Sequence, residues 1–268
     1  MSDDDLRKLA ATYSGHARGY AEAWSPVIRP LGQRLLGAMP WERAHRVLDV
    51  GTGTGALLPD IAAAAPANAF LLGVDASSGM LQLARSRGKT LALMDGMRLG
   101  LRAASVDVVV MAFVLFHMAA PEIALSEVCR VLRAAGRVGI VTWASDPELE
   151  ATQVFEAELD AHGARDPAPI AATDHTRTNS PEKIASLFMR AGLEPVRTWI
   201  ETFEYRWELE SFMALRTTFG RTMRKLQSID AATQTAFLAR VRGRLATLDK
   251  SAFVYCGSVV CGIARRTG

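Results

Sequence analysis

The stretch Val47-Leu48-Asp49-Val50-Gly51-Thr52-Gly53-Thr54-Gly55-Ala56 joins an apolar run to three alternating glycines and leads directly into a helical pattern. Glycine enters left-handed backbone conformations without steric cost and lets a ligand approach the main chain. The reading is therefore a strand that turns sharply into a helix N-terminus. An ordinary turn of this kind needs one glycine at most, so three point to a bound cofactor. Gly51, Gly53 and Ala56 satisfy the G-x-G-x-x-G/A spacing of a dinucleotide fingerprint. The loop alone does not separate a nicotinamide dinucleotide from other nucleoside cofactors.

Asp49 does discriminate. It places a carboxylate near the end of the first strand, where a pyrophosphate dianion gains nothing from more negative charge. A ligand carrying an ammonium and a sulfonium, such as S-adenosyl-L-methionine, is favoured there. Asp75 closes the next strand about twenty residues past the last glycine, the spacing at which a carboxylate reaches ribose hydroxyls. Asp95 closes a third strand at the same edge, where it can accept from an adenine amino group while the backbone at Gly96 and Met97 meets the ring. Each of the three acids also suits a plain structural role, capping backbone N–H groups at a strand end or turn.

Outward from the loop, apolar runs at 46–50, 70–75, 90–95, 106–113 and 137–143 alternate with helical patterns at about 55–65, 77–87 and 121–134. This is the mark of βαβ units and a largely parallel sheet. The run at 106–113 is apolar at nearly every position, as expected of a strand covered on both faces. Ser77 and Ser78 offer N-caps, and Pro121 suits a first helical turn. Pro59 fits only if it, too, lies in a first turn. Residues 5–38 read as two or three short helices broken by Pro26 and Pro30. Downstream, Ser180-Pro181-Glu182 starts a helix that ends at Gly192; 196–205 and 258–264 read as strands, and 207–249 as helical. The segment 144–179 combines a helix near 148–162 with a long loop.

The expected fold class is α/β: a doubly wound, seven-stranded, mostly parallel, Rossmann-like sheet with N-terminal helices and helical insertions forming a substrate lid. The divisions are a helical lid at 1–40, a cofactor-binding core at 41–145, a lid insertion at 146–180, core continuation at 181–206, a helical insertion at 207–250 and the last core strand at 251–268.

The 268 residues, 49% hydrophobic and 22% charged, suit one globular α/β domain with insertions. A net charge of +3 gives no strong nucleic-acid signal. Cys129, Cys256 and Cys261 lack metal-ligand or C-x-x-C spacing, so no metal site is expected. The acidic start Met1-Ser2-Asp3-Asp4-Asp5 is unlike a secretion leader, and the longest apolar run is too short to span a bilayer. A cytoplasmic location is expected. Residues 211–250 hold eight Lys/Arg against two acids, which reads as an amphipathic helical face with solvated basic residues, or as a lobe that attracts an anionic or membrane-associated substrate.

The glycine loop, D-A-S-S-G-M-L-Q-L-A at 75–84, M-D-G at 94–96, V-D-V-V-V-M-A-F-V-L-F-H-M at 106–118 and E-V-C-R-V-L-R-A-A-G-R at 127–137 together resemble the class I S-adenosylmethionine-dependent methyltransferases. The similarity is to the small-molecule branch that includes the ubiquinone and menaquinone C-methyltransferases. It is good over roughly residues 10–145 and weak elsewhere. The resemblance implies that the last strand is antiparallel and that the cofactor lies on the Gly51, Thr52, Gly53 and Gly55 loop. It puts the methionine moiety near Gly51 and the backbone of Met111 and Ala112, ribose on Asp75, and adenine between Ala76, Met80 and Met97. It further implies transfer of a methyl group to a small-molecule acceptor, at oxygen or carbon. Ala135 stands where the family commonly has proline, with Gly136 retained.

His117 follows the fourth strand on the rim to which a transferable methyl would point. A neutral imidazole there suits proton abstraction from a hydroxyl, and a packed rim histidine fits equally well. Tyr13, His16, Tyr20 and Trp24 recur at near-helical spacing, as a substrate lid or as a packed amphipathic face. Two rival functions remain at this level. One is an NAD(P)-dependent oxidoreductase, opposed by Asp49 and by the lack of a Y-x-x-x-K pair; the other is a non-catalytic S-adenosylmethionine-binding module.

Overall fold

The structure is a computed structural model that describes residues 3–87, 90–145, 148–166 and 174–268. The chain opens with helices α1 (Asp3–Gly15) and α2 (Ala17–Gly19), a π-helical turn (Tyr20–Trp24) and α3 (Ser25–Ala38). The core then alternates β1 (Arg46–Val50), α4 (Leu58–Ala64), β2 (Phe70–Asp75), α5 (Ser78–Ala84), β3 (Thr90–Leu93), β4 (Val106–Ala112), α6 (Pro121–Val131) and β5 (Leu132–Ser145). It continues through α7 (Glu150–Ala161), α8 (Pro181–Arg190), β6 (Leu193–Arg206), α9 (Leu209–Thr218), α10 (Gly220–Leu226), α11 (Ala231–Leu245) and β7 (Val254–Arg266). Of the loop expected within 144–179, residues 146–147 and 167–173 lie outside the described residues.

The seven strands form one sheet in the order β3-β2-β1-β4-β5-β7-β6, parallel except for β7, which runs antiparallel to β5 and β6. The order reverses between β1 and β4, so their carboxyl ends open a crevice at the topological switch point. Continuous apolar runs in β1, β4 and β5 follow from cover on both faces. Val47, Val108, Val110 and Val141 pack into one layer with α3 and α4, while Leu48, Val109, Met111, Val138 and Ile140 pack into the other with α6 and α8.

Local chemistry sets the helix ends. Ser77 accepts from the Met80 N–H, Ser180 from Lys183, and Asp230 from Ala232 and Thr233. Pro59 falls in the first turn of α4, which starts later than the glycine loop suggested. The expected breaks at Pro26 and Pro30 do not occur. Pro26 opens α3, and Pro30 sits inside it at an exposed position where solvent can take the carbonyl left without a donor. The adjustment comes earlier, in the π-helical turn. The helix expected to 134 stops at Val131: Ala135 adopts φ 62°, and pairing of β4 with β5 shifts register there, from Val106 opposite Leu132 to Val108 opposite Arg137.

The basic segment 211–250 is tied down by ion pairs. Glu158 of α7, 1% exposed, accepts from Arg244 at 2.6 Å and forms an ion pair with Arg240 at 2.7 Å, both of α11. Burial alone raises its pKa, yet these guanidiniums and His162 hold the carboxyl below the usual range. Arg221 pairs with Glu156 at 2.7 Å and with Asp166, Lys225 with Asp160, and Arg242 with Glu210. Among the described residues, at least five of the eight cations thus face acids of the same lobe. Glu158→Gln should lower the unfolding free energy by about 1–3 kcal/mol, the solvated guanidiniums limiting the loss. Glu210→Gln, at an exposed pair, should cost less than about 1 kcal/mol. Urea unfolding of both variants compares them; equal losses would assign the Glu158 cluster no special weight.

Candidate active site

The glycine loop leaves β1 with three residues in left-handed backbone, Gly51 at φ 73°, Gly53 at 54° and Gly55 at 74°. Each is glycine for a different reason. A Cβ on Gly51 would lie 2.4 Å from Val114, and one on Gly55 3.0 Å from both Ala84 and Leu58, so these two admit close packing of neighbouring elements. A Cβ on Gly53 would meet nothing nearer than the Gly51 carbonyl at 4.0 Å and would project into open space. That space belongs to a cavity of about 830 Å³, counting its mouth, at the switch point of the sheet.

Asp75 lines this cavity with Ala76, Met80, Asp95, Gly96, Met97, Ala112 and His117. Its carboxylate also accepts from Gly53 N–H at 2.9 Å and Ser77 N–H at 2.8 Å, so it shapes the loop as well as facing the space. Burial raises its pKa; the backbone N–H groups of Ser77 and Gly53 oppose that rise. Asp95 does the same on a smaller scale, accepting from Met97 N–H at 2.8 Å. The turn-forming and cavity-lining readings of these acids hold together. A second recess of about 420 Å³ adjoins the loop, lined by Asp49, Thr52, Gly53, Ala112 and Phe113. Burial pushes the Asp49 carboxyl up to about 7; the Thr52 hydroxyl beside it works against that rise and the charge of Asp75 adds to it.

Helix α1 roofs the larger cavity with Leu6, Leu9, Ala10 and Tyr13. The Tyr13 hydroxyl and His117 Nε2 lie 2.9 Å apart. Ser14 Oγ is 2.8 Å from Ser77 Oγ and accepts from Gly79 N–H at 3.2 Å. This close approach requires glycine at 79, because a Cβ there would lie 2.6 Å from Ser14 Cα and carbonyl oxygen. Tyr13, Tyr20 and Phe219 form a cluster of rings with centroids 5.2–5.9 Å apart beside His117. Burial, with the field of His175 second, pulls the His117 imidazole down to about 3, and its Nδ1 is buried with no hydrogen-bond partner among the described residues. The ring is therefore neutral across the physiological range. Burial and then Asp75 push the Tyr13 phenol well up, so it keeps its proton.

Not every residue singled out from the sequence faces the cavity. Gly55 serves helix packing, and the Met111 side chain is fully buried in the sheet's second layer, leaving Ala112 at the cavity wall. His16 turns its Nδ1 to the Thr12 carbonyl at 2.8 Å. Trp24 lines a different cavity, described below. Residues that sequence reading missed are Phe113, Ser14, Gly79 and Phe219. Phe113 holds φ 56° at the end of β4, a strained position of the kind that gathers at functional sites. The glycine inside D-A-S-S-G-M was the one available signal for the α1 contact; nothing in the sequence linked Phe219 to Tyr13.

The cavity fits S-adenosylmethionine by its own features: an open cradle above Gly53, a carboxylate at each strand end and a buried acid in the adjoining recess. Residues 48–140 match the methyltransferase domain family. A demethylmenaquinone methyltransferase of Beutenbergia cavernae is 31% identical over 149 residues, 55% of this chain and 58% of that protein. A malonyl-[acyl-carrier protein] O-methyltransferase of Geobacter sulfurreducens is 28% identical over 78% of this chain and 79% of its own length. The chain spans about half the length of most curated relatives that it matches. Among solved structures, a candidate methyltransferase of Bacillus halodurans superposes with a TM-score of 0.57 at 18% identity, covering 88% of this chain and 99% of that one, which is a likeness of fold. Residues 48–140 thus match a methyltransferase domain, and the chain is similar in sequence to small-molecule methyltransferases and in fold to a methyltransferase structure.

Proposed function

We propose that the chain binds S-adenosylmethionine beneath α1 and directs its methyl group to oxygen or carbon of a small molecule. The observation that carries this reading is the open space above Gly53, continuous with the edges of Asp75 and Asp95. Asp75 holds the ribose, Asp95 with the Gly96–Met97 backbone meets the adenine among Ala76 and Met80, and Asp49 faces the ammonium across the Thr52 recess. When bound, the cofactor supplies an electrophilic methyl whose bond to sulfur breaks as the bond to the acceptor forms, leaving a neutral thioether.

The protein then needs to orient, to exclude water and to accept a proton. Tyr13, Tyr20 and Phe219 close the roof over the reaction site and keep solvent out. His117 is a weak base. Full deprotonation of a phenol of pKa about 10 by a base near 3 would cost on the order of 9 kcal/mol. As the new carbon–oxygen bond forms, however, the hydroxyl becomes strongly acidic, and a weak neutral base suffices to take its proton late. Nε2 receives that proton in place of the Tyr13 hydroxyl, or through it.

Calorimetry should detect S-adenosylmethionine binding at micromolar strength. Gly53→Ala should weaken it at least tenfold with the circular dichroism spectrum retained. Gly163→Ala is the control: its φ of 75° imposes similar backbone strain with nothing within 4 Å. Equal affinity in both variants, or tight NAD binding without S-adenosylmethionine heat, would end the reading.

Asp49 makes the affinity pH-dependent. A cation beside it favours the carboxylate, so binding releases its proton when the free protein holds one. Below pH 7 the dissociation constant should rise by up to about tenfold per unit, and Asp49→Asn should flatten the profile. A flat native profile between pH 5.5 and 7 would place the ammonium elsewhere.

For a hydroxyl acceptor, found by screening phenolic, quinol and carboxylate metabolites with labelled cofactor, His117→Ala should lower kcat by about tenfold to 10², less than a base matched to the working pH would give. Cofactor affinity should be unchanged. Near-native turnover in His117→Ala and His117→Gln would leave proximity as the sole source of catalysis.

A further inference from the structure

A cavity of about 850 Å³, counting its open mouth, lies apart from the cavity beneath α1 and shares no lining residue with it. One side is aromatic: Trp24 from the π-helical turn, Trp207 just after β6 and Tyr255 on β7. The lining also presents Glu148 just before α7, Thr152, Gln153 and Glu156 of α7 and Arg216 of α9. The indoles of Trp24 and Trp207 are parallel within 5°, with centroids 6.3 Å apart.

We infer that this second cavity holds the flat, uncharged aromatic body of the methyl acceptor, an inference that rests on the function proposed above. Position is the first argument. The N-terminal helices, the insertion after β5 and the insertion after β6 meet here and line a space large enough for a multi-ring molecule. The wall toward the cofactor is thin: Tyr20 lines the cofactor side, and Trp24, four residues on in the same π-helical turn, lines the other. Such turns widen a helix by one residue and gather at functional sites. Ring contacts run across the wall from Phe113 to Trp143 at 4.7 Å and from Trp143 to Trp24 at 5.7 Å. Half-buried Trp24 is the ring that turns aside to let a substituent of the body reach the Tyr13–His117 side.

The chemistry of the lining selects the class. Three aromatic faces favour stacking of a planar ring over an aliphatic chain. In the same lining, a hydroxyl and an amide supply hydrogen bonds at the ring edge. Charge in the lining is balanced: Glu156 is held by Arg221 at 2.7 Å, and Glu148, which accepts from Gln153 Nε2 at 2.9 Å, offsets Arg216, which lies over the Phe212 ring and donates to Thr152 Oγ1 at 2.6 Å. Neither a strong anion nor a strong cation finds a single-sign field.

The test uses 1-naphthol as a neutral probe in equilibrium dialysis with the full chain, with 1-naphthoate and 1-naphthylmethylamine as charged comparators. With S-adenosylhomocysteine saturating, naphthol should bind no more weakly than without it. Trp207→Leu and Gln153→Trp should each weaken naphthol at least tenfold while S-adenosylhomocysteine affinity stays within twofold. Gln153 is exposed on α7, so its replacement fills the cavity mouth without touching the core, should Trp207→Leu fail to fold. With any acceptor that is turned over, Gln153→Trp should raise the acceptor KM at least tenfold and leave the cofactor KM unchanged. Displacement of naphthol by S-adenosylhomocysteine, native naphthol affinity in Gln153→Trp, tenfold tighter binding of either charged comparator, or an unchanged acceptor KM would overturn the inference. Failure of S-adenosylhomocysteine itself to bind would instead overturn the proposed function, and the dialysis of naphthol still reads the cavity alone.

Discussion

At the end of β1 the main chain must leave the sheet, turn back toward α4 and stay clear of whatever occupies the switch point, all within five residues. Three left-handed glycines meet that demand, and the rest of the site is arranged around them. Gly51 lets Val114 close against the loop, so the segment after β4 approaches the strand end; Gly55 lets α4 and α5 pack together. Gly53 alone is left facing space. The Gly53 N–H, held by Asp75 across the strand pair, ties the loop to β2 and fixes the acid at the same moment. A substitution in this loop therefore acts on packing or on the ligand according to which glycine it replaces.

The roof follows from the same geometry. Helix α1 meets the core where Gly79, in the first turn of α5, offers bare backbone, and Ser14 bridges to Ser77. From there Tyr13 reaches His117, which the strained turn after β4 carries to the rim. The result is a histidine enclosed by rings and stripped of water. Enclosure explains why it is neutral and weakly basic; a rim histidine open to solvent would titrate near its ordinary pKa. On the proposed function, the walls that would keep water from a sulfonium also weaken the base beside it, so proton removal is suited to follow bond formation instead of preceding it.

How much of this was legible depended on whether the signal was local. Strands β1 and β4 stand out because burial on both faces makes them continuously apolar, and the glycine loop names its own ligand edge. Ser77, Ser180 and Asp230 act through backbone groups two or three residues away and are readable as caps. The end of α6 was misplaced because Ala135 takes a left-handed conformation that its residue type disfavours, to satisfy a register set by β4. Pro30 misled for the opposite reason: its missing donor is cheap at an exposed helical position. Trp24 looked like Tyr20's companion on one face, but the π-helical turn rotates it toward another cavity. Phe219 belongs to Tyr13 only through a contact spanning most of the chain.

Charge in the second half of the chain shows the same limit more sharply. Counting residues 211–250 by themselves gives a basic lobe suited to capturing anions. The compensating acids, Glu156, Glu158, Asp160 and Asp166, lie on and just after α7, more than fifty residues earlier, and only the fold brings them opposite. Pairing changes what the lobe can do. Cations spent on internal partners contribute little long-range field, so the lobe is a poor electrostatic lure; cross-linking of α7 to α11 instead makes it a stiff wall. A stiff, internally neutral wall selects by shape and by the hydrogen bonds on its inner face. On the proposed function, acceptor choice is accordingly set by the rings of Trp24, Trp207 and Tyr255 together with the amide face of α7, and the ion pairs matter to it by keeping that face where it is.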